Sequence, residues 1–418
     1  MTDLQRWVKH GDEMRRPLLV NHEIANSNKI VIVGGGLSGM CCAFRIAQQR
    51  PDLSIIIHEH GNRLGGVIST WQDGEWICDL AVNATRPHPA FWRLIDDLGL
   101  SEDFTSSRRN AKSRWILIDG KKHRLSWSTL FKIGPIKLYR AIKKSRSGGF
   151  SVAEALPNKA IADALCLGIV NDVSANVDAD FLLPSLTRFG PNPPIKKSKL
   201  TKMINASYPI FTPKKGSIAS IRGGMQSLID SLSEKLSALN NVEVNLSQDI
   251  KSRESIAEQY GVNHNSILWA APGFQEDYDE TSLSIFAIGY QSSKVADVEV
   301  GYGTLIPDRS IPISGILHES DIHQSKRCPE GHRLFRLMVP HNRWDGKEQS
   351  VLSCAEGLLA DEPDLFVKIG ERKIPKYQPG YMAKIAKWQG DESYVGWSVS
   401  GVSITHVVDE AERVAELF

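Results

Sequence analysis

The residues best suited to chemistry are Gly34-Gly35-Gly36-Leu37-Ser38-Gly39, with Glu59 placed twenty positions after Gly39. Glycines at these intervals suit a pyrophosphate. Gly34 permits a tight turn, Gly36 lets backbone approach a phosphate, and Gly39 allows close packing of a helix on a strand. A helix opening at Leu37 and Ser38 adds free N–H groups and the positive end of its dipole. Glu59 can accept hydrogen bonds from ribose hydroxyls. The pattern predicts a dinucleotide site. After His60, Arg63-Leu64-Gly65-Gly66 adds a cation and a second glycine pair for further contact with phosphate.

The elements that must position these residues are legible around them. Lys29 to Val33 is a β-branched run ending in the glycine turn. Met40, Ala43, Phe44 and Ala47 recur at helical spacing, Pro51-Asp52 breaks the chain, and Leu53 to His58 is a second Ile-rich run. This is a βαβ unit with strands apolar enough to be buried on both faces of a parallel sheet. Val152 to Val170 reads as helical, and Pro184, Pro191, Pro193 and Pro194 mark loops. A helix is expected from Gly224 to Leu239, on the repeat of Leu228, Leu232 and Leu236, and Asn240-Asn241 stop it. Short strands follow at Val242 to Leu246 and Ser266 to Ala271. Phe286–Tyr290, Val298–Leu305, Ile313–His318 and Leu334–Val339 predict a mainly antiparallel sheet. Tyr394 to Phe418 reads as strand, glycine turn and terminal helix.

The expected fold is α/β. A Rossmann-like domain is assembled from discontinuous segments (28–90, 215–275 and 385–418) after an N-terminal extension over 1–27. A helical insertion over 91–214 carries part of the substrate domain, and the inserted antiparallel sheet covers 276–384.

The chain has 418 residues, 41% hydrophobic and 23% charged, with a net charge of +2, so the molecule as a whole is not built to bind polyanions. Between Arg108 and Arg146, however, thirteen Lys and Arg face the single acid Asp119. There Trp127, Leu130, Phe131, Ile136 and Tyr139 alternate with Lys132, Lys137, Arg140, Lys143 and Lys144, a pattern shared by solvated helix faces and by elements that dock on anionic bilayers. Gly134-Pro135 divides the stretch into two pieces. The six cysteines form no CxxC pair or zinc-spaced cluster, so buried free thiols and no metal site are expected. No run approaches the roughly 18–20 apolar residues that span a bilayer. Ser-His-Asp, HExxH and P-loop patterns are not readable, and His318 and His323 read as structural histidines.

The glycine turn, Glu59 and the Arg63-Leu64-Gly65-Gly66 extension together resemble the FAD-dependent amine oxidase superfamily, which implies FAD rather than NAD. Within it the chain resembles protoporphyrinogen oxidase-like flavoproteins, from about Lys29 to the end. The resemblance is carried by Asp79 to Pro87, Cys166-Leu167-Gly168-Ile169, Gly223-Gly224-Met225-Gln226-Ser227-Leu228, Tyr302 to Pro307, Gly315-Ile316-Leu317-His318, Ile374-Pro375-Lys376-Tyr377 and Gly401-Val402-Ser403-Ile404. It implies cofactor contacts at His60, Val244, Gly396, Trp397, Val402 and Ser403 besides the glycine-turn residues. It also implies that Arg86 anchors a propionate of a tetrapyrrole, since a guanidinium pairs bidentately with a carboxylate. Two departures stand out. Ala81-Val82 replaces the family's Gly-Pro, and Trp397 follows Gly396 where the family has Asp or Asn.

The resemblance implies a flavin-driven oxidase or dehydrogenase with no dedicated catalytic side chain, taking hydride from a reduced pyrrole-type substrate and reoxidised by dioxygen or a quinone. An amine oxidase or desaturase of secondary metabolism, and a non-catalytic flavoprotein homologue, are the other readings. Expected partners are the small-molecule substrate, a membrane surface touched peripherally through 127–146, and a second copy of the chain, with no nucleic acid. The expected location is cytoplasmic, with contact at the inner face of a membrane.

Overall fold

The β-branched run Lys29–Val33 (β1) is buried from its second residue onward, as a central parallel strand requires. It ends in the glycine turn, from which helix α1 (Leu37–Gln49) departs with eleven of its thirteen residues buried. The computed structural model describes residues 18–86, 88–125, 134–187, 218–272, 279–388, 390–401 and 403–418. Trp127, Leu130, Phe131, Lys132, Pro191, Pro193, Pro194 and Val402 lie outside them.

After α1 the chain returns through β2 (Ser54–His58) and forms a hairpin, β3 (Thr70–Asp73) and β4 (Trp76–Asp79). Helix α2 (Pro89–Asp97) and β5 (Phe104–Ser106) follow, then a second hairpin, β6 (Arg114–Ile118) and β7 (Lys121–Arg124). Helices α3 (Pro135–Ser145) and α4 (Lys159–Val170) come next, a single turn at Val152–Ala155 lying between them. Pro157 separates that turn from α4, which is why the expected helix over 152–170 is two elements. The chain re-enters the nucleotide unit with β8 (Ala219–Ile221), α5 (Gln226–Ser237), β9 (Val242–Asn245), α6 (Arg253–Tyr260) and β10 (Ile267–Trp269). Five further strands follow, β11 (Asp279–Gln291), β12 (Gly303–Leu305), β13 (Gly315–Leu317), β14 (His332–Pro340) and β15 (Leu365–Lys376). The chain closes with β16 (Ser393–Tyr394), the turn α7 (Trp397–Ser400) and α8 (Ile404–Ala415).

Two sheets organise the molecule. The first, in the order β16-β10-β1-β2-β9, is parallel throughout and takes its strands from three separated stretches of chain. Helices α1, α2, α5 and α8 share one continuous apolar core with it. The second sheet runs β15-β11-β14-β13-β12-β6-β7. All its pairings are antiparallel except β12 with β6. The β6–β7 hairpin therefore belongs to this sheet, although it lies in the stretch read as a helical insertion. Strand β15 lies within the expected sheet domain (276–384) but is not among the four runs named for it; its side chains are only partly buried and it contains Pro375. It occupies the sheet edge, where a missing N–H is tolerated.

Buried charge ties the second sheet to the β3–β4 hairpin and to β8. Asp79, at the end of β4, accepts hydrogen bonds from Thr70 Oγ1 (2.6 Å), Met225 N (2.8 Å) and Arg327 Nη1 (3.1 Å). Arg336 on β14 donates to the Asp79 carbonyl, and its Nε lies 2.9 Å from Glu319 Oε1. His323 links Glu319 Oε2 (3.1 Å) to Ser220 Oγ (2.7 Å) on β8. Burial pushes the Glu319 carboxyl up, but Arg336 and the bond to His323 outweigh it and bring it down to about 2. Asp79, Glu319 and His323 have the spacing of a metal site. Arg327 and Arg336 already supply the positive charge there, so the cluster reads as a structural ion network.

Candidate active site

The three outer glycines of the turn have separate tasks. Gly34 has φ of +110°, and a Cβ there would lie 2.7 Å from Ala271 N at the end of β10. A Cβ on Gly39 would lie 2.0 Å from the Gly34 carbonyl oxygen, so only glycine lets α1 start this close to β1. At Gly36 the same construction meets no atom within 4 Å. Gly36 instead opens onto a cavity of about 960 Å³, near the top of the roughly 300–1,000 Å³ range of small-molecule sites. Ser38, in the first turn of α1, lines that cavity, and its buried Oγ has no hydrogen-bond partner. An open backbone approach, a helix N-terminus and an orphaned hydroxyl together fit a diphosphate.

Glu59 lies at the carboxyl end of β2 and lines the same cavity. Its two oxygens accept from Gly35 N and Gly61 N, each at 2.7 Å, so the carboxylate braces the glycine turn while retaining lone pairs for a ribose. Glu59→Ala is expected to lower bound cofactor per polypeptide at least about tenfold, with loss of both charge-assisted bonds. Retention at the wild-type level, read from cofactor absorbance after desalting, would exclude the ribose role.

The cavity continues past the first sheet to the second. Its walls there are Trp269 and Ala270 from β10, His341 after β14, and Arg372, Pro375 and Tyr377 from β15 and its end. Gly396 and Trp397 close one side, and the Cβ position of Gly396 lies 3.4 Å from Ser38 Oγ. Gly396 N donates to Glu410 Oε2 on α8 (2.6 Å). Burial pushes the Glu410 carboxyl up to about 8, against the pull of the Gly396 N–H and Arg413. A carboxyl raised on folding contributes most below its unfolded value, and stability is lost as pH rises through about 8. Glu410→Gln keeps an acceptor and cannot ionise. The variant is therefore expected to show a flatter decline in thermal midpoint between pH 5 and 8, whereas parallel wild-type and variant curves would contradict the assignment.

Gly34, Gly36, Leu37, Ser38, Glu59, His60, Gly65, Gly66, Gly396 and Trp397 all line the cavity. Gly39 lies behind the turn. Arg63 is not among the cavity-lining residues: its guanidinium donates to the carbonyls of Leu64, Gly66 and Ile68 and shapes the loop. Leu64 packs into the core. Val244 also packs against that core, and Gln248, Asp249 and Ile250 beyond β9 line the cavity in its place. Ser403 bonds Thr405 (2.7 Å), while Ile404 and Val407 face the cavity. Arg86 is exposed and outside the lining. Arg372, unmarked by any motif, is the guanidinium on the cavity wall.

Residues 32–98 match the NAD(P)-binding Rossmann-like domain family. Protoporphyrinogen oxidase 1 of Arabidopsis thaliana is 33% identical over 93 residues, 22% of this chain and 17% of that protein. The sequence match thus spans about a sixth of the relative's length. An Exiguobacterium sp. 255-15 protein assigned as a protoporphyrinogen oxidase superposes over 93% of this chain and 98% of its own, at a TM-score of 0.68 and 17% identity. The fold is that of protoporphyrinogen oxidase-like flavoproteins. Cyclohexylamine oxidase of Brevibacterium oxydans shares it at a TM-score of 0.61 and 14% identity, covering 96% of this chain and 98% of its own. The protoporphyrinogen oxidase-like fold therefore extends to amine oxidation, and the fold by itself does not choose the substrate.

Proposed function

We propose that the chain is an FAD-dependent oxidoreductase acting on a reduced pyrrole-type or tetrapyrrole substrate. The supporting observation is one cavity that runs from the glycine turn and Glu59 to strand β15 of the second sheet. When bound, FAD supplies the redox chemistry, accepting hydride equivalents and passing electrons to dioxygen or a quinone. The chain's own residues bind and orient. The α1 N-terminus and Gly36 hold the diphosphate, Glu59 holds the ribose, and Trp269, Pro375 and Tyr377 exclude water from the far end. None of these wall residues is required as a general base.

The absorbance spectrum of the purified protein supplied with FAD tests the cofactor, and anaerobic mixing with protoporphyrinogen tests the substrate. Bleaching of the flavin bands supports both assignments. A flavin that binds but does not bleach would reject the tetrapyrrole. An amine substrate is the second reading, favoured by the exposure of Arg86 away from the cavity, and bleaching by a primary amine alone would select it.

Peripheral membrane contact is a separate proposal. On α3, Leu138 packs against a separate apolar cluster formed with α4 and β11, whereas Ile136 and Tyr139 are 67% and 64% exposed beside exposed Lys137, Arg140, Lys143 and Lys144. Among the described residues no helix is long and apolar enough to cross a membrane. Vesicles containing phosphatidylserine are expected to co-sediment with the protein, and Ile136→Ser/Tyr139→Ser to reduce this several-fold. Equal sedimentation of the variant would reject docking through α3.

A further inference from the structure

Strand β15 carries four cations, and three already have carboxylates. Lys368 pairs with Glu371 at 2.6 Å, Lys373 with Glu280 at 2.6 Å, and Lys376 with Asp172 at 2.9 Å and Asp279 at 3.1 Å. Arg372 is different. Its Nη1 donates to the Ala81 carbonyl (3.2 Å), its Nε is buried without a partner, and no carboxylate pairs with it among the described residues. Desolvation, and then the neighbouring Arg336, push its guanidinium down to about 9, the direction expected of a half-buried cation without a counter-charge. A half-buried, uncompensated cation is costlier to keep than an exposed one. Arg372 also lines the cavity.

Its anchor is informative. Ala81 belongs to the Ala81-Val82 pair that stands where the resembling family has Gly-Pro. Gly370, two residues before Arg372, would place a Cβ 2.5 Å from Leu80, so β15 packs directly on this altered segment. The fold thus brings a guanidinium to the cavity wall at the place where the chain departs from the family, while Arg86 points elsewhere. The cavity's other carboxylates on this side, Glu280 and Glu371, are held by Lys373 and Lys368 and leave Arg372 available.

We propose that Arg372 recognises a carboxylate of the substrate at the second-sheet end of the cavity. The substrate class is an organic acid, with the guanidinium forming charge-assisted bonds to one carboxylate. Only the choice of a porphyrin as that acid rests on the function proposed above. Arg372 is a binding residue, and the flavin retains its own contacts at the glycine turn.

The test uses FAD-loaded protein and two fluorescent probes, coproporphyrin III and its tetramethyl ester, with benzoate as a simple carboxylate read by perturbation of the flavin bands. Arg372→Gln is expected to weaken coproporphyrin III binding about 10- to 100-fold, Arg372→Lys less, with the ester unaffected. Arg86→Gln is expected to bind like wild type. Apoprotein of Arg372→Gln should melt at or above the wild-type temperature, because an uncompensated charge has been removed. If wild type ignores porphyrins but benzoate perturbs the flavin only when Arg372 is present, the tetrapyrrole reading fails and the carboxylate site stands. Loss of FAD from Arg372→Gln, or unchanged binding of coproporphyrin III and benzoate by it, would overturn the inference.

Discussion

Gly39→Ala is expected to unfold the nucleotide unit, whereas Gly36→Ala is expected to leave it folded and unable to hold cofactor. The first places a methyl 2.0 Å from the Gly34 carbonyl oxygen, a backbone atom that no rotamer change can move aside. A loss of about 3 kcal/mol or more is expected, the upper end of overpacking effects. The second adds a methyl at φ of −68°, an allowed conformation, with no atom within 4 Å. Apoprotein stability should stay within about 1 kcal/mol of wild type. Flavin content should nevertheless fall below detection after desalting, because the methyl occupies the approach of the diphosphate. Urea unfolding and flavin absorbance separate the two effects. A Gly36→Ala protein that is unstable, or that keeps its flavin, would mean that the turn serves the fold alone.

The second large effect lies at Asp79, where the β3–β4 hairpin meets the start of α5 and Arg327. Asp79→Ala is expected to destabilise by about 3–5 kcal/mol, because it strands Arg327 and removes the acceptor of Met225 N and Thr70 Oγ1. Asp79→Ala combined with Arg327→Leu should recover much of that loss, since the buried cation is then gone. Additive losses in a double-mutant cycle would show that the two side chains do not act as a pair. The Glu319 carboxyl stands at about 2, so its contribution is present above the usual carboxylate range and declines only as pH falls toward that value. Glu319 should therefore contribute to the loss of stability that begins as pH falls below about 4.5 and is complete near 2.

The parts of the molecule legible in the sequence are those encoded by local rules. β1, α1 and β2 follow one another with apolar strands, helical spacing and glycines at fixed intervals, so the dinucleotide turn and Glu59 could be placed without a structure. α5 was legible for the same reason, its Leu228, Leu232 and Leu236 forming one buried stripe. β15 was not, since its burial is only partial and Pro375 imitates a loop residue. The loop carbonyls that Arg63 bonds were not legible, because a motif fixes that an arginine is present and not which acceptors surround it.

Sequence alone determined the α/β class, the glycine turn and the acid that braces it at the cavity, because turn geometry and helix start are decided within about thirty residues. Tertiary structure decided which cations meet the cavity. In the sequence Lys368, Arg372, Lys373 and Lys376 are four cations with nothing to tell which has an acid beside it. Only the pairing of β15 with β11, which sets Arg372 opposite Leu283 and against Ala81, leaves one of them without an acid. A carboxylate that neutralises a cation can come from anywhere in the chain, and only the assembled sheet settles which of them has one.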